Sequence, residues 1–127
     1  MPSPSVRVLD SAAQTGRALV RDLNGARRVS IAVAFAKPSA WQAIDLRAWC
    51  SGERSLRLVV GTDFEITDLD VLRDLGARPN AECKVMHRAP ASTAAFHPKL
   101  YLIEREESVV AFIGSSNLTL GGLRANV

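Results

Sequence analysis

Val29-Ser30-Ile31-Ala32-Val33-Ala34-Phe35-Ala36 is an almost unbroken run of β-branched and small apolar residues. Its length suits a strand, and its continuity predicts burial on both faces, as in a sheet covered by helices. Lys37-Pro38-Ser39 breaks it. A second run, Leu56-Arg57-Leu58-Val59-Val60, closes at Gly61 and reads the same way. Upstream, Asp10 or Ser11 is placed to cap a helix reaching Leu23, with Ala12, Ala18, Leu19, Val20 and Leu23 available for one face. Asn24-Gly25 is a natural stop for it. Between the two strands, residues 40–49 read as a second helix, with Trp41 and Trp49 near one face.

Thr67 or Asp68 can cap a short helix through Leu75, which Gly76 ends. Residues 83–87 read as a third strand and 88–95 as a loop. Residues 97–103 and 108–113 form two further strands around the charged triplet Arg105-Glu106-Glu107. Residues 118–127 begin a helix that Gly121-Gly122 weakens. Strands alternating with helices and ending in a hairpin predict an α/β fold: a mixed, mostly parallel β-sheet flanked by helices.

The chain has 127 residues, 47% of them hydrophobic, which fits one domain over residues 1–127 with a substantial core. Its net charge is +3, and Arg outnumbers Lys 13 to 3. Guanidinium groups suit phosphate-bearing partners. The start, Met1-Pro2-Ser3-Pro4-Ser5, has no basic flank before an apolar run, unlike a signal peptide. No apolar run approaches the ~20 residues of a membrane span. Cys50 and Cys83 lie in unrelated contexts and read as reduced, buried thiols. The expectation is a cytoplasmic protein without a membrane partner.

The chemistry concentrates in Phe96-His97-Pro98-Lys99-Leu100-Tyr101 and Gly114-Ser115-Ser116-Asn117-Leu118-Thr119. In a strand, His97 and Lys99 project from one face, roughly 7 Å apart. If Glu104 pairs with Ser108, antiparallel register sets Lys99 across from Ile113 and His97 across from Ser115. The Gly114 turn then returns Ser115, Ser116 and Asn117 to the end of the hairpin that carries His97. An imidazole can attack phosphorus. An ammonium and a carboxamide can hold the non-bridging oxygens as charge builds. The leaving alkoxide needs a proton from a second acid. The other histidine, His87, has no comparable motif around it, so a second copy of the site is the simplest source.

His97-x-Lys99 joined to Gly114-Ser115-Ser116-Asn117 resembles the signature of the phospholipase D superfamily: His-x-Lys, four residues, Asp, then Gly-Ser-x-Asn. The likeness is strongest to its single-motif nuclease branch, which includes metal-independent restriction endonucleases. Leu118-Thr119-x-Gly121-Gly122-Leu123 resembles that branch too. The resemblance implies a phospholipase D-like domain and a two-step reaction through a covalent phosphohistidine on His97. It implies Lys99 and Asn117 as catalytic phosphate ligands, with Ser115 and Ser116 as substrate-binding donors. It also implies a homodimer with the active site at the interface and DNA as substrate. The family's acidic position falls on Glu104, a glutamate where aspartate is usual. The chain stops at Val127, soon after the motif, where family domains continue, so the expectation is a domain truncated at its C-terminus or completed from elsewhere.

No metal or cofactor is expected. Cys83-x3-His87 with His97 and Cys50 lacks the close cysteine pairs of structural zinc sites. Gly-Ser-Ser-Asn followed by Leu118 is not a serine-hydrolase elbow, and no phosphate loop ending in Lys-Ser/Thr occurs. Two rivals stay open: a phosphodiesterase acting on phospholipid or a small molecule, and a non-catalytic binding domain of the same fold.

Overall fold

In the computed structural model, residues 4–37, 53–61, 69–86 and 96–114 are described. The expected helices over 40–49 and 118–127, the caps at Thr67 and Asp68, and the 88–95 loop lie outside them. The described elements run α1 (Ala12–Leu23), β1 (Arg28–Val33), β2 (Ser55–Gly61), α2 (Leu69–Gly76), β3 (Ala81–Met86), β4 (Lys99–Glu104) and β5 (Val109–Ile113). The five strands form one sheet in the order β3-β2-β1-β4-β5. β1 pairs in parallel with β2, and β2 with β3. β4 is antiparallel to both β1 and β5. β4 alone therefore runs against the other four, and the sheet is mixed and mostly parallel, as its sequence pattern predicts.

Ser11 caps α1, accepting a hydrogen bond from the Gln14 amide at 3.2 Å. That satisfies one of the donors every helix start leaves open. The helix ends where Gly25 takes φ +82°, a conformation that favours glycine. Leu19 and Leu23 are buried, as the sequence predicts, but Val20 faces solvent and Asp22 is buried in its place. Its carboxylate accepts from Arg21 Nε at 3.2 Å and lies 4.0 Å from Arg105 Nη1 in the hairpin turn. A buried carboxylate needs such partners.

The core is one cluster. Leu19 and Leu23 of α1 and Val71 and Leu75 of α2 join Val29, Ile31, Val33, Leu56, Leu58, Val60, Tyr101 and Ile103. The strand members all alternate onto one face, so both described helices cover that face. β1 departs from the expected double burial. Ile31 and Val33 are fully buried, whereas Ser30 and Ala32 on the reverse face are half-buried. The reverse face carries charge beside them: Arg57 donates to Ser30 Oγ at 2.9 and 3.1 Å and lies 4.0 Å from Glu104. Among the described residues, no helix is long and apolar enough to cross a membrane.

Candidate active site

β1, β2 and β3 run the same way, so their carboxyl ends share one rim of the sheet, with the start of β4 and the end of β5 beside them. In open α/β sheets this rim is where ligands bind. His97 and Lys99 lie there. His97 precedes β4 and is exposed. Lys99 opens β4 opposite Val33 and is half-buried, on the face that carries Tyr101 and Ile103. Its ammonium donates to the His97 carbonyl oxygen at 3.1 Å. Partial burial lowers the Lys99 pKa from the ordinary lysine value. Beneath it Tyr101 is buried, which raises its phenol pKa well above the usual range.

Backbone contacts hold this corner together. The Ala34 amide donates to the Pro98 carbonyl at 3.0 Å. Gly61, at the end of β2, touches the same segment. A Cβ built there would lie 3.0 Å from the Ala34 oxygen and 3.3 Å from both the Phe96 ring and the Phe96 oxygen. The sequence marks Gly61 only as a strand stop. Its physical role is to let Phe96, next to His97, approach closely. Phe35 has no motif in the sequence, yet its ring packs edge-on against His97, with centroids 6.1 Å apart at 70°. The available signal is its position, an aromatic immediately past a buried strand at the ligand-binding rim.

The hairpin corrects the expected register by one residue. Glu104 pairs with Val109, not Ser108, and Leu100 pairs with Ile113. Arg105 N donates to Ser108 O at 2.8 Å, closing a two-residue turn at Glu106-Glu107 in place of the expected three-residue one. Two-residue connections match the twist of the strands they join. Here Arg105 reaching Asp22 and Glu106 pairing with Arg27 at 3.1 Å hold the turn against α1 and β1. As a result Lys99 faces Gly114, whose amide lies 3.3 Å from the Lys99 oxygen, and Ile113 points to the reverse face, 84% exposed. Ser115, Ser116 and Asn117 follow directly and lie outside the described residues, as do His87 and Cys50.

Glu104 is not near this rim. It ends β4, five residues from Lys99 and on the opposite face, 3.9 Å from Arg28 and 4.0 Å from Arg57. Arg27 and Arg28 sit at this far end in ion pairs with Glu106 and Glu104. Cys83 is a free thiol packed on the core, and burial raises its pKa, which disfavours the reactive thiolate. Among the described residues, no three His, Cys, Asp or Glu side chains group as metal ligands.

Compared with solved structures, the chain is similar to NucT from Helicobacter pylori, with a TM-score of 0.64 and 17% sequence identity. The likeness covers 91% of this chain and 74% of NucT. No protein-family model matches the sequence, and no curated protein matches it. The fold is thus similar to that of NucT: a mixed five-stranded sheet with helices, with the His-x-Lys segment at its carboxyl rim.

Proposed function

We propose that the chain is a metal-independent phosphodiesterase that cleaves DNA. The observation that carries this reading is the placement of His97 and Lys99 together at the ligand-binding rim of a phospholipase D-like sheet, directly opposite Gly114. The likeness of the fold to NucT, together with the His-x-Lys and Gly-Ser-x-Asn motifs, supports this reading.

In the first step a ring nitrogen of His97 attacks phosphorus and the bond to one ester oxygen breaks. The departing alkoxide takes a proton from the imidazolium of a second copy's His97, leaving phosphohistidine on the first. In the second step that neutral imidazole takes a proton from water. The resulting hydroxide attacks phosphorus, the P–N bond breaks, and a phosphomonoester leaves. Lys99 holds a non-bridging oxygen throughout, and Asn117, with Ser115 and Ser116 as further donors, holds the others as negative charge grows.

The test is cleavage of a labelled DNA oligonucleotide in EDTA, with acid-free trapping of any covalent adduct. Wild type is expected to cleave and to yield phosphohistidine, whereas His97→Ala folds but does neither. Cleavage by His97→Ala near the wild-type rate would assign the nucleophile elsewhere. Substrate binding should weaken steeply as salt rises, because phosphate contacts release counterions. Salt-insensitive binding together with hydrolysis of a neutral-headgroup phospholipid would favour the lipid reading. A folded, dimeric wild type that cleaves no phosphodiester would favour the non-catalytic one.

A further inference from the structure

Resting on that reading of His97, we infer that Phe35 is a positioning residue for the nucleophile: its ring fixes the imidazole in the orientation from which a nitrogen reaches phosphorus. The β1–β4 register pairs Arg28 with Glu104 and Val33 with Lys99. Two residues further along the same antiparallel register, Phe35 faces His97. The Ala34 amide bonded to the Pro98 carbonyl at 3.0 Å shows that the alignment persists past the last ladder pair. Residues directly opposite on antiparallel strands are the closest cross-strand neighbours. The two rings meet edge-to-face, with centroids 6.1 Å apart at 70°, within the range aromatic pairs prefer.

The two partners differ in freedom. Phe35 is half-buried and His97 exposed, so one ring is anchored and the other projects into the rim. The ring contact to Phe35 distinguishes one imidazole orientation from another. A histidine that acts as a base is usually oriented by a hydrogen bond to its second nitrogen. Lys99 is fixed by a separate device, its ammonium bonded to the His97 carbonyl at 3.1 Å. Phe35 therefore acts on nucleophile orientation and leaves the phosphate-binding cation in place.

The experiment uses the full chain with Phe35→Leu and Phe35→Tyr, a labelled DNA oligonucleotide in EDTA, and NMR of ring-labelled histidine without substrate. Comparison with His97→Ala identifies the His97 signals. Phe35→Leu is expected to remove the aromatic ring-current shift from the His97 signals and to lower kcat about tenfold or more, with KM within about twofold. Phe35→Tyr is expected to restore both the shift and most of kcat. Unmoved His97 signals in Phe35→Leu would overturn the inference, as would wild-type kcat in that variant. A KM rise matching the kcat loss, without rescue by tyrosine, would also overturn it by making Phe35 a packing residue only. A folded wild type that cleaves no DNA defeats the nuclease reading, whereas an active wild type with an indifferent Phe35 defeats this inference alone.

Discussion

Lys99 carries the clearest electrostatic signature at the rim. Burial lowers its pKa, so its ammonium gives up a proton more readily than an exposed lysine would. In the proposed reaction the charged form is the one that holds phosphate. As pH rises through that lowered value, phosphate binding is lost, and kcat/KM should fall on an alkaline limb lying below the ordinary lysine range. Stability moves the other way: the unfolded chain holds this proton more tightly, so the Lys99 contribution to folding improves as pH climbs through the same interval. Lys99→Ala should remove the limb and cost about 3 kcal/mol of transition-state stabilisation, the usual scale for losing one oxyanion donor. A pH–rate profile of the two proteins checks both points. Gly61 makes a stability prediction at the same corner. With backbone oxygen 3.0 Å from the position of a Cβ, Gly61→Ala must push the Ala34 carbonyl and the Phe96 segment away from the end of β2. We expect a loss of about 1–3 kcal/mol in denaturant unfolding, the range of overpacked sites. A neutral or stabilising effect would mean that the segment yields without cost.

At the scale of elements, much of the architecture was legible. Apolar runs at residues 29–36 and 56–60 locate β1 and β2, Ser11 and Gly25 bracket α1, and Gly76 ends α2, because burial and backbone sterics act through neighbouring residues. The hairpin register was not legible. Arg105-Glu106-Glu107-Ser108 has none of the Gly or Asn that announce a two-residue turn, and the residues its charges meet, Asp22 and Arg27, are distant in sequence. The contact between Phe35 and His97 is likewise a product of strand pairing across some sixty residues of chain. Glu104 keeps the sequence interval, but strand alternation turns it to the face opposite Lys99, where it meets Arg28 and Arg57. These pairs are long and partly exposed, and such pairs contribute little. Glu104→Gln is therefore expected to cost under about 1 kcal/mol in denaturant unfolding and to leave kcat within a fewfold of wild type. A loss of turnover comparable to that of Lys99→Ala would restore Glu104 to the reacting machinery.

For the whole molecule, the proposed reaction calls for two imidazoles at each site. One imidazole must become phosphorylated while another holds the proton for the leaving group, and the sequence contains only His87 besides His97. If the second acid is a copy of His97, each working site consumes one histidine from each subunit, and the subunits cannot act independently. This predicts how activity responds to dilution with an inactive partner. When wild type is mixed with His97→Ala under conditions that allow subunits to exchange, only wild-type pairs retain both imidazoles. Random pairing makes activity follow the square of the wild-type fraction, so an equal mixture should keep roughly a quarter of the undiluted rate. Subunits with self-sufficient sites would instead keep about half. Unexchanged dimers also give half, so the mixture is assayed after unfolding and refolding together, with separately refolded proteins mixed afterwards as the reference. A linear response in the co-refolded sample would place the proton donor within one chain, and His87 would become the residue to replace next.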